Sequence, residues 1–339
     1  MNVALVVMPG FSKGCVSITV RFWEAQDAGV LVRGPPAFFG RPVAANSKGL
    51  NGAYLLTSSI PGSKDKPEWV FKPRSQEAEN SGEALKSGIS RGSSCINEVA
   101  AFLLDHEGFA GVPETKATFA NVQLAKSQLV DFGSLQRFIE HDGSCEEYGS
   151  SLFDADNIHR IGLFDLRIGN CDRHEGNILV VRDREQVRAV PIDHGYCLPS
   201  WRNLSDLYFC WSSWRQASVP FSEETKSYIN NLNPLHDVSN LLCIGVSHDS
   251  AMTYVLCSFF VQRAVAAGLT LAEIASVMQR TDDLEPSQFE RLINDAASKS
   301  EFEDFQLSSY SDWNIPIVRS FLKHFIICSC LFLANYHLN

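Results

Sequence analysis

The spacing of apolar residues changes along this chain, and the change separates two kinds of structure. Ala53-Tyr-Leu-Leu-Thr57 and Glu68-Trp-Val-Phe-Lys72 predict two strands, joined as a hairpin by the Gly-, Ser- and Pro-rich connector Ser58 to Pro67. Pro73 should end the second strand. Further on, apolar residues fall at 96, 99, 100, 103 and 104, which predicts a helix over Ile96 to Asp105. Val122 to Val130 and Ser134 to Glu140 are expected to carry the chain to the sheet edge and into a crossing segment. Helical spacing then dominates. Asn157 to Arg167 predicts a helix, Ser250 to Ala267 a core helix apolar on most sides, and Leu271 to Met278 and Ser287 to Ala297 two amphipathic helices. Thr270 and Glu273 have the spacing of a capping box. Gly34-Pro-Pro36, Gly40-Arg-Pro42 and Ala44 to Gly49 read as loops. The expected fold class is α+β, with a small β-rich N-lobe and a larger, mainly helical C-lobe.

Composition narrows the function classes. The 339 residues carry a formal net charge of −10, with 45% hydrophobic and 20% charged residues. An acidic globular chain argues against nucleic acid as a partner, since phosphate backbones select basic surfaces. Ten cysteines are scattered without a CxxC pair, as reduced thiols would be. The start, Met1-Asn-Val-Ala-Leu-Val-Val-Met8, lacks a basic region and a long apolar run, so no signal peptide is expected. In the stretch from Ile315 to Leu333, Arg319, Lys323 and His324 leave a clean run too short to span a bilayer, and a buried or interfacial helix is expected. The chain is therefore read as cytoplasmic.

The chemistry concentrates in Arg167 to Gly195. Asp172 and Asn177 stand five positions apart before an apolar strand, and Asp193 follows 21 positions after Asp172, between Ile192 and His194-Gly195. Phosphoryl transfer from ATP requires this set: one carboxylate to orient the attacking hydroxyl, and an Asn and a second Asp to hold Mg²⁺ on the phosphates. Asp172 is accordingly the expected catalytic residue, with Asn177 and Asp193 as metal ligands. Lys72, at a strand end, can reach phosphate oxygens, and Glu98, 26 residues later on the predicted helix, is its candidate partner. The bland alternatives are a turn-capping Asp and a surface ion pair. Gly49, Asn51, Gly52, Ala53 and Tyr54 form a candidate phosphate loop whose alternative is a plain turn. His174 fits either a proton carrier or a structural role. Trp211 and Trp214 fit either a membrane interface or the core of the helical lobe.

Two runs carry a family resemblance: Asp172-Arg-His-Glu-Gly-Asn-Ile-Leu-Val180 and Ile192-Asp-His-Gly-Tyr-Cys-Leu-Pro199. Phe71-Lys-Pro73, Asn97 to Asp105, Gly133-Ser-Leu-Gln-Arg-Phe-Ile139, His159 to Arg167 and Pro220 to Thr225 add to it. The chain resembles the phosphatidylinositol 3-/4-kinase catalytic domain, above all the type II phosphatidylinositol 4-kinases and their plant gamma-type relatives, over about residues 47 to 300. The resemblance implies a two-lobed, protein-kinase-like fold, with ATP and Mg²⁺ (Mn²⁺ as an alternative). It implies phosphorylation of the 4-hydroxyl of phosphatidylinositol at a membrane surface, by a peripherally associated enzyme. It places Gln136, Arg137, Phe138 and Ile139 against adenine, and Asp193 on the nucleotide's metal. The corresponding organisation is an N-terminal extension of unknown role at 1–46, a catalytic domain at 47–305 (N-lobe about 47–135, C-lobe about 140–305) and a divergent tail at 306–339. One departure stands out: Gln76-Glu77-Ala78 replaces the acidic pair and proline that usually follow the lysine motif. The same active site serves a protein Ser/Thr acceptor, and an inactive nucleotide-binding scaffold is a second alternative.

Overall fold

The computed structural model describes residues 37–42, 52–57, 66–77, 85–123, 128–183, 186–282 and 284–336. Its N-terminal part holds β1 (Ala37–Pro42), β2 (Tyr54–Thr57), β3 (Trp69–Pro73), α1 (Ser94–Leu104), β4 (Thr115–Gln123) and β5 (Gln128–Arg137). The strands close into a barrel in the order β1-β2-β3-β5-β4, with β1 antiparallel to β2 and parallel to β4. Alternation along the strands turns Tyr54, Leu56, Phe71, Ala120, Val122 and Leu135 into a small barrel core. Lys72 and Ser134 pair across β3 and β5 on the opposite face from Phe71 and Leu135.

Two expectations fail here. Residues 37–42 form a strand where a loop was expected, because pairing with β2 and β4 overrides the local Gly and Pro signal. Of the segments 122–130 and 134–140, residues 122–123, 128–130 and 134–137 belong to the antiparallel pair β4–β5, registered from Thr115↔Gln136 to Gln123↔Gln128, and 124–127 lie outside the described residues.

Gly133 is the tight point of this barrel. A Cβ there would lie 2.1 Å from the carbonyl oxygen of Lys72, which is backbone and cannot swing away. Gly133→Ala is expected to destabilise the protein by about 1–3 kcal/mol, through separation of β5 from β3 at Lys72. A chemical-denaturation midpoint measures it, and an unchanged midpoint would contradict the close approach.

The C-terminal part begins with β6 (Gly143–Ser144), α2 (Cys145–Tyr148) and α3 (Ala155–Ile168), then β7 (Ile178–Asp183) and β8 (Gln186–Pro191), with β7 paired between β6 and β8 in a second sheet. There follow α4 (Glu223–Asn231), α5 (Pro234–Cys243), α6 (His248–Ala266), α7 (Leu271–Met278), α8 (Gln288–Lys299) and α9 (Pro316–Asn335). The central helix α6 buries most of its circumference. The Thr270–Glu273 capping box is formed at the start of α7. α3 starts on the Asp154 side chain and stops at Gly169, whose positive φ of 56° ends the helix just before the loop that bears Asp172. Trp211 is fully buried, its ring stacked on Phe209 and its indole N–H given to Asp165 at 2.8 Å, so it is core and not a membrane anchor.

α9 is long and apolar enough to cross a membrane by length and composition, contrary to the expectation from its shorter clean run. Val318, Phe321, Leu322, Phe325 and Leu333 are nevertheless buried against the helical lobe. Trp201 lies against both Phe302 and Phe321, and the Arg202 guanidinium donates to the carbonyl of Phe305 at 2.7 Å. The tail thus packs on the segment that follows Asp193.

Candidate active site

The face of β3 that carries Lys72 turns toward α1. There the Lys72 ammonium contacts the carboxylate of Glu98 and lies 2.8 Å from Oδ1 of Asp193. Glu98 is 1% exposed. A buried ammonium alone would lose its proton more readily, but Asp193 and Glu98 outweigh the burial and hold Lys72 above its ordinary pKa. Burial likewise opposes ionisation of Asp193, yet Lys72 keeps that carboxyl below the usual range. The two carboxylate neighbours thus favour the charged form of Lys72.

Asp193 itself has φ of 56°, in the left-handed region that Asp tolerates better than most residues. The turn after it abuts the start of α1: a Cβ on Gly195 would lie 2.2 Å from the Ser94 hydroxyl oxygen. Asn97 completes the join. Its side-chain N–H groups donate to the carbonyls of Gly195 and Cys197, both at 2.9 Å. Glu77, within the departure from the family pattern, accepts from the backbone N–H of Cys95 at 2.9 Å and of Ser94 at 3.3 Å, satisfying donors at the helix start. Gln76 accepts from the Tyr54 hydroxyl at 2.9 Å.

Asp172 and Asn177 sit on the loop between α3 and β7. Arg173, fully buried, braces it. Its Nη1 donates at 2.7 Å to the carbonyls of both Asn177 and Ile192, and its Nε donates to Asp165 at 3.0 Å. Asp165 also accepts from Asn170 at 2.9 Å and from Trp211. One guanidinium thus ties the loop bearing Asp172 to the strand end bearing Asp193, and the Ile192 N–H adds a bond to the Asn177 carbonyl at 3.0 Å. The side chain of Asn177 donates to the Asp172 carbonyl at 3.0 Å, which commits its nitrogen and leaves its oxygen as the available donor atom. Burial pushes the Asp172 carboxyl up, with Lys86, 3.6 Å away, pulling against it. His174 accepts from the Gly176 N–H at 3.1 Å, a structural contact within the loop, and its Nε2 lies 4.0 Å from Asp172.

The adenine positions divide. Gln136 is buried and donates to Thr115 at 2.9 Å and to Glu98 at 3.5 Å. Arg137 is exposed and lies over the Trp69 ring, on the other face of the strand from Lys72, so alternation removes its side chain from the expected set. The Phe138 N–H extends the pairing to the Glu68 carbonyl at 2.9 Å. Ile139 joins Leu179, Val181, Val190 and Ile192 in an apolar cluster next to Asp193. Gly49 and Asn51 lie outside the described residues, while Gly52, Ala53 and Tyr54 lead into β2.

Among the described residues no three His, Cys, Asp or Glu side chains converge to hold a metal. A divalent ion on a nucleotide takes one or two protein oxygens and completes its shell with water and phosphates. Asp193 and the Asn177 side-chain oxygen could supply those two. A separate cavity of about 550 Å³, lined by His106, Phe109, Arg160, Glu224 and Tyr228 among others, contains none of these residues.

Sequence reasoning quoted Asp165 and Asn97 only as parts of longer motifs and gave neither a role; Asp165 works through Asn170, Arg173 and Trp211, and Asn97 through carbonyls 98 and 100 positions on. Arg173 lay within a quoted motif, but its double carbonyl brace has no local signature.

Comparison with known proteins follows the same residues. The family model "Phosphatidylinositol 3- and 4-kinase" matches residues 72–274. The Arabidopsis thaliana protein named phosphatidylinositol 4-kinase gamma 5 is 41% identical over 292 residues, covering 76% of this chain and 45% of that protein. Phosphatidylinositol 4-kinase gamma 8 of the same plant is 37% identical over 300 residues, covering 78% and 55%. The chain thus spans about half the length of these curated relatives. Among solved structures, the Helicobacter pylori proinflammatory kinase CtkA aligns over 86% of this chain and 94% of its own, at 11% identity and a TM-score of 0.28, too loose a match to bear on function. With its family-model match running from the strand lysine Lys72 through Asp193 into the helical lobe, this chain belongs to the phosphatidylinositol 3- and 4-kinase family.

Proposed function

We propose that this chain transfers the γ-phosphate of ATP to the 4-hydroxyl of phosphatidylinositol at a membrane surface. The observation that supports the reading is the Arg173 brace, which ties the loop bearing Asp172 and Asn177 to the strand end before Asp193, itself an ion-pair partner of Lys72 beside Glu98. The family match and the names of the curated relatives support the lipid acceptor.

In this mechanism Lys72 holds phosphate oxygens as a fixed charge, positioned by Glu98. Asp172 orients the acceptor hydroxyl and takes its proton; burial, which raises its pKa, makes it a better acceptor. The hydroxyl oxygen forms a bond to the γ-phosphorus as the bond from that phosphorus to the bridging oxygen breaks, and ADP leaves with the electron pair. Bound Mg²⁺, held by Asp193 and Asn177, would neutralise charge on the phosphates. The remaining contribution is positioning by a rigid frame.

Incubation with labelled ATP, phosphatidylinositol vesicles and a generic protein acceptor tests the proposal. Label is expected in a lipid that co-migrates with phosphatidylinositol 4-phosphate. Label confined to protein would replace the lipid reading with that of a Ser/Thr kinase.

A further inference from the structure

Asp172 faces a cation in this structure. The ammonium of Lys86 stands 3.6 Å from its Oδ1, and both side chains keep partial exposure, 38% and 28%. Lys86 comes from the segment just before α1, far from the catalytic loop in sequence. Its placement is nonetheless built in. The neighbouring Ser87 N–H donates to the Asp206 carboxylate at 2.6 Å, and the Gly88 carbonyl accepts from the Ser200 N–H at 2.7 Å. Gly88 has a φ of 76°, and a Cβ there would lie 2.3 Å from the Asn203 carbonyl oxygen. The segment carrying Lys86 is therefore seated on residues 200–206.

The same stretch continues into Tyr208, which is 46% exposed. Its backbone N–H donates to the Asn170 carbonyl at 3.1 Å and its carbonyl accepts from the Arg173 N–H at 3.2 Å, so it is laid along the catalytic loop. The loop at Asp172 is thus bordered by the segment that carries Lys86 and by the backbone of the exposed Tyr208, both held by backbone hydrogen bonds.

An acceptor hydroxyl must reach the carboxylate that Lys86 faces. The pair is partly exposed, so parting it costs little, and an incoming molecule that brings an anion of its own gives the freed ammonium a new partner. A serine or threonine hydroxyl brings none. A ring alcohol that also bears a phosphate does, and the lysine stem is flexible enough to turn from one anion to the other.

We propose that Lys86 binds the phosphate group of the acceptor, so that a phosphate-bearing ring alcohol both frees Asp172 and is held against it, with Tyr208 as a side wall. This deepens the lipid-kinase reading and rests on it. Lys86 is then the group that selects phosphorylated inositol over an uncharged hydroxyl.

The test compares wild type, Lys86→Met and Lys86→Arg with two acceptors, phosphatidylinositol in mixed micelles and soluble inositol 1-phosphate. The acceptor that wild type turns over identifies whether the phosphate belongs to a lipid headgroup or to a free inositol phosphate. For that acceptor, Lys86→Met is expected to raise KM about tenfold or more, the scale of losing one charge-assisted contact, with KM for ATP unchanged. Lys86→Arg, which keeps the cation, should hold KM near the wild-type value. A fall in kcat with acceptor KM untouched would confine Lys86 to its ion pair with Asp172 and overturn the proposal. A parallel rise in KM for ATP would place it on the nucleotide and overturn it too. Wild-type enzyme that phosphorylates neither acceptor ends both this proposal and the lipid reading, whereas turnover with an unmoved KM in Lys86→Met ends this proposal alone.

Discussion

Asp172→Asn is expected to lower kcat about a thousandfold, within the usual range for loss of a general base, while ATP affinity changes little. The substitution preserves the shape of the loop: the Asp172 backbone N–H still reaches Asn170 at 3.0 Å, and its carbonyl still accepts from Asn177. Only the charge that orients and deprotonates the hydroxyl is lost. Lys72, Glu98 and Asp193 are untouched, so nucleotide binding should persist. Steady-state ADP release and nucleotide titration, made on one preparation, separate the two quantities. A loss smaller than about fivefold, against the range cited for such a group, would remove Asp172 from the role proposed for it. It would also revive a scaffold in which residual turnover is incidental.

The second large effect concerns stability. Asp165→Ala should cost about 3–5 kcal/mol, the scale for stranding one member of a buried ion pair. Arg173 would be left charged and fully buried, and Asn170 and Trp211 would lose their acceptor. Since whole domains are stable by only about 5–15 kcal/mol, thermal denaturation should move down by roughly 10 °C. The pair can be distinguished from a general packing defect. Asp165→Leu combined with Arg173→Met removes both charges, and it should recover much of the stability while leaving turnover low, because the brace from the guanidinium to the Asn177 and Ile192 carbonyls is gone. A double variant as unstable as Asp165→Ala would mean that the loss comes from volume and not from the stranded charge.

What could be read from the chain follows from the range of each signal. Period-two alternation at 53–57 and 68–72, and helical spacing at 157–167, 250–267 and 271–278, are local properties, and the corresponding strands and helices form. The capping box at Thr270 is local too. β1 was hidden because Gly40 and Pro42 within it speak for a loop, and pairing with β2 and with the distant β4 makes it a strand. Trp211 has the composition of an interface residue, and nothing nearby in sequence reveals the Asp165 carboxylate that receives its indole N–H. At the site, the Asp172–Asn177 offset and the Lys72–Glu98 separation were legible as motifs, and both pairs are in contact. Arg137 was assigned by its place in a motif, whereas the strand's alternation turns its side chain to Trp69. Asn97 and Lys86 act through partners about a hundred positions away, which no spacing rule reaches.

The Asn97 contacts bear on how such an enzyme can be controlled. Swinging α1 outward would strip two buried carbonyls of their donor, at about 1–3 kcal/mol each, so a disengaged helix would hold a few per cent of the molecules at most. A catalytic core assembled to that degree has little room for an on–off switch at its ion pair. Control of its output would then fall to whatever sets how often the assembled site meets its acceptor.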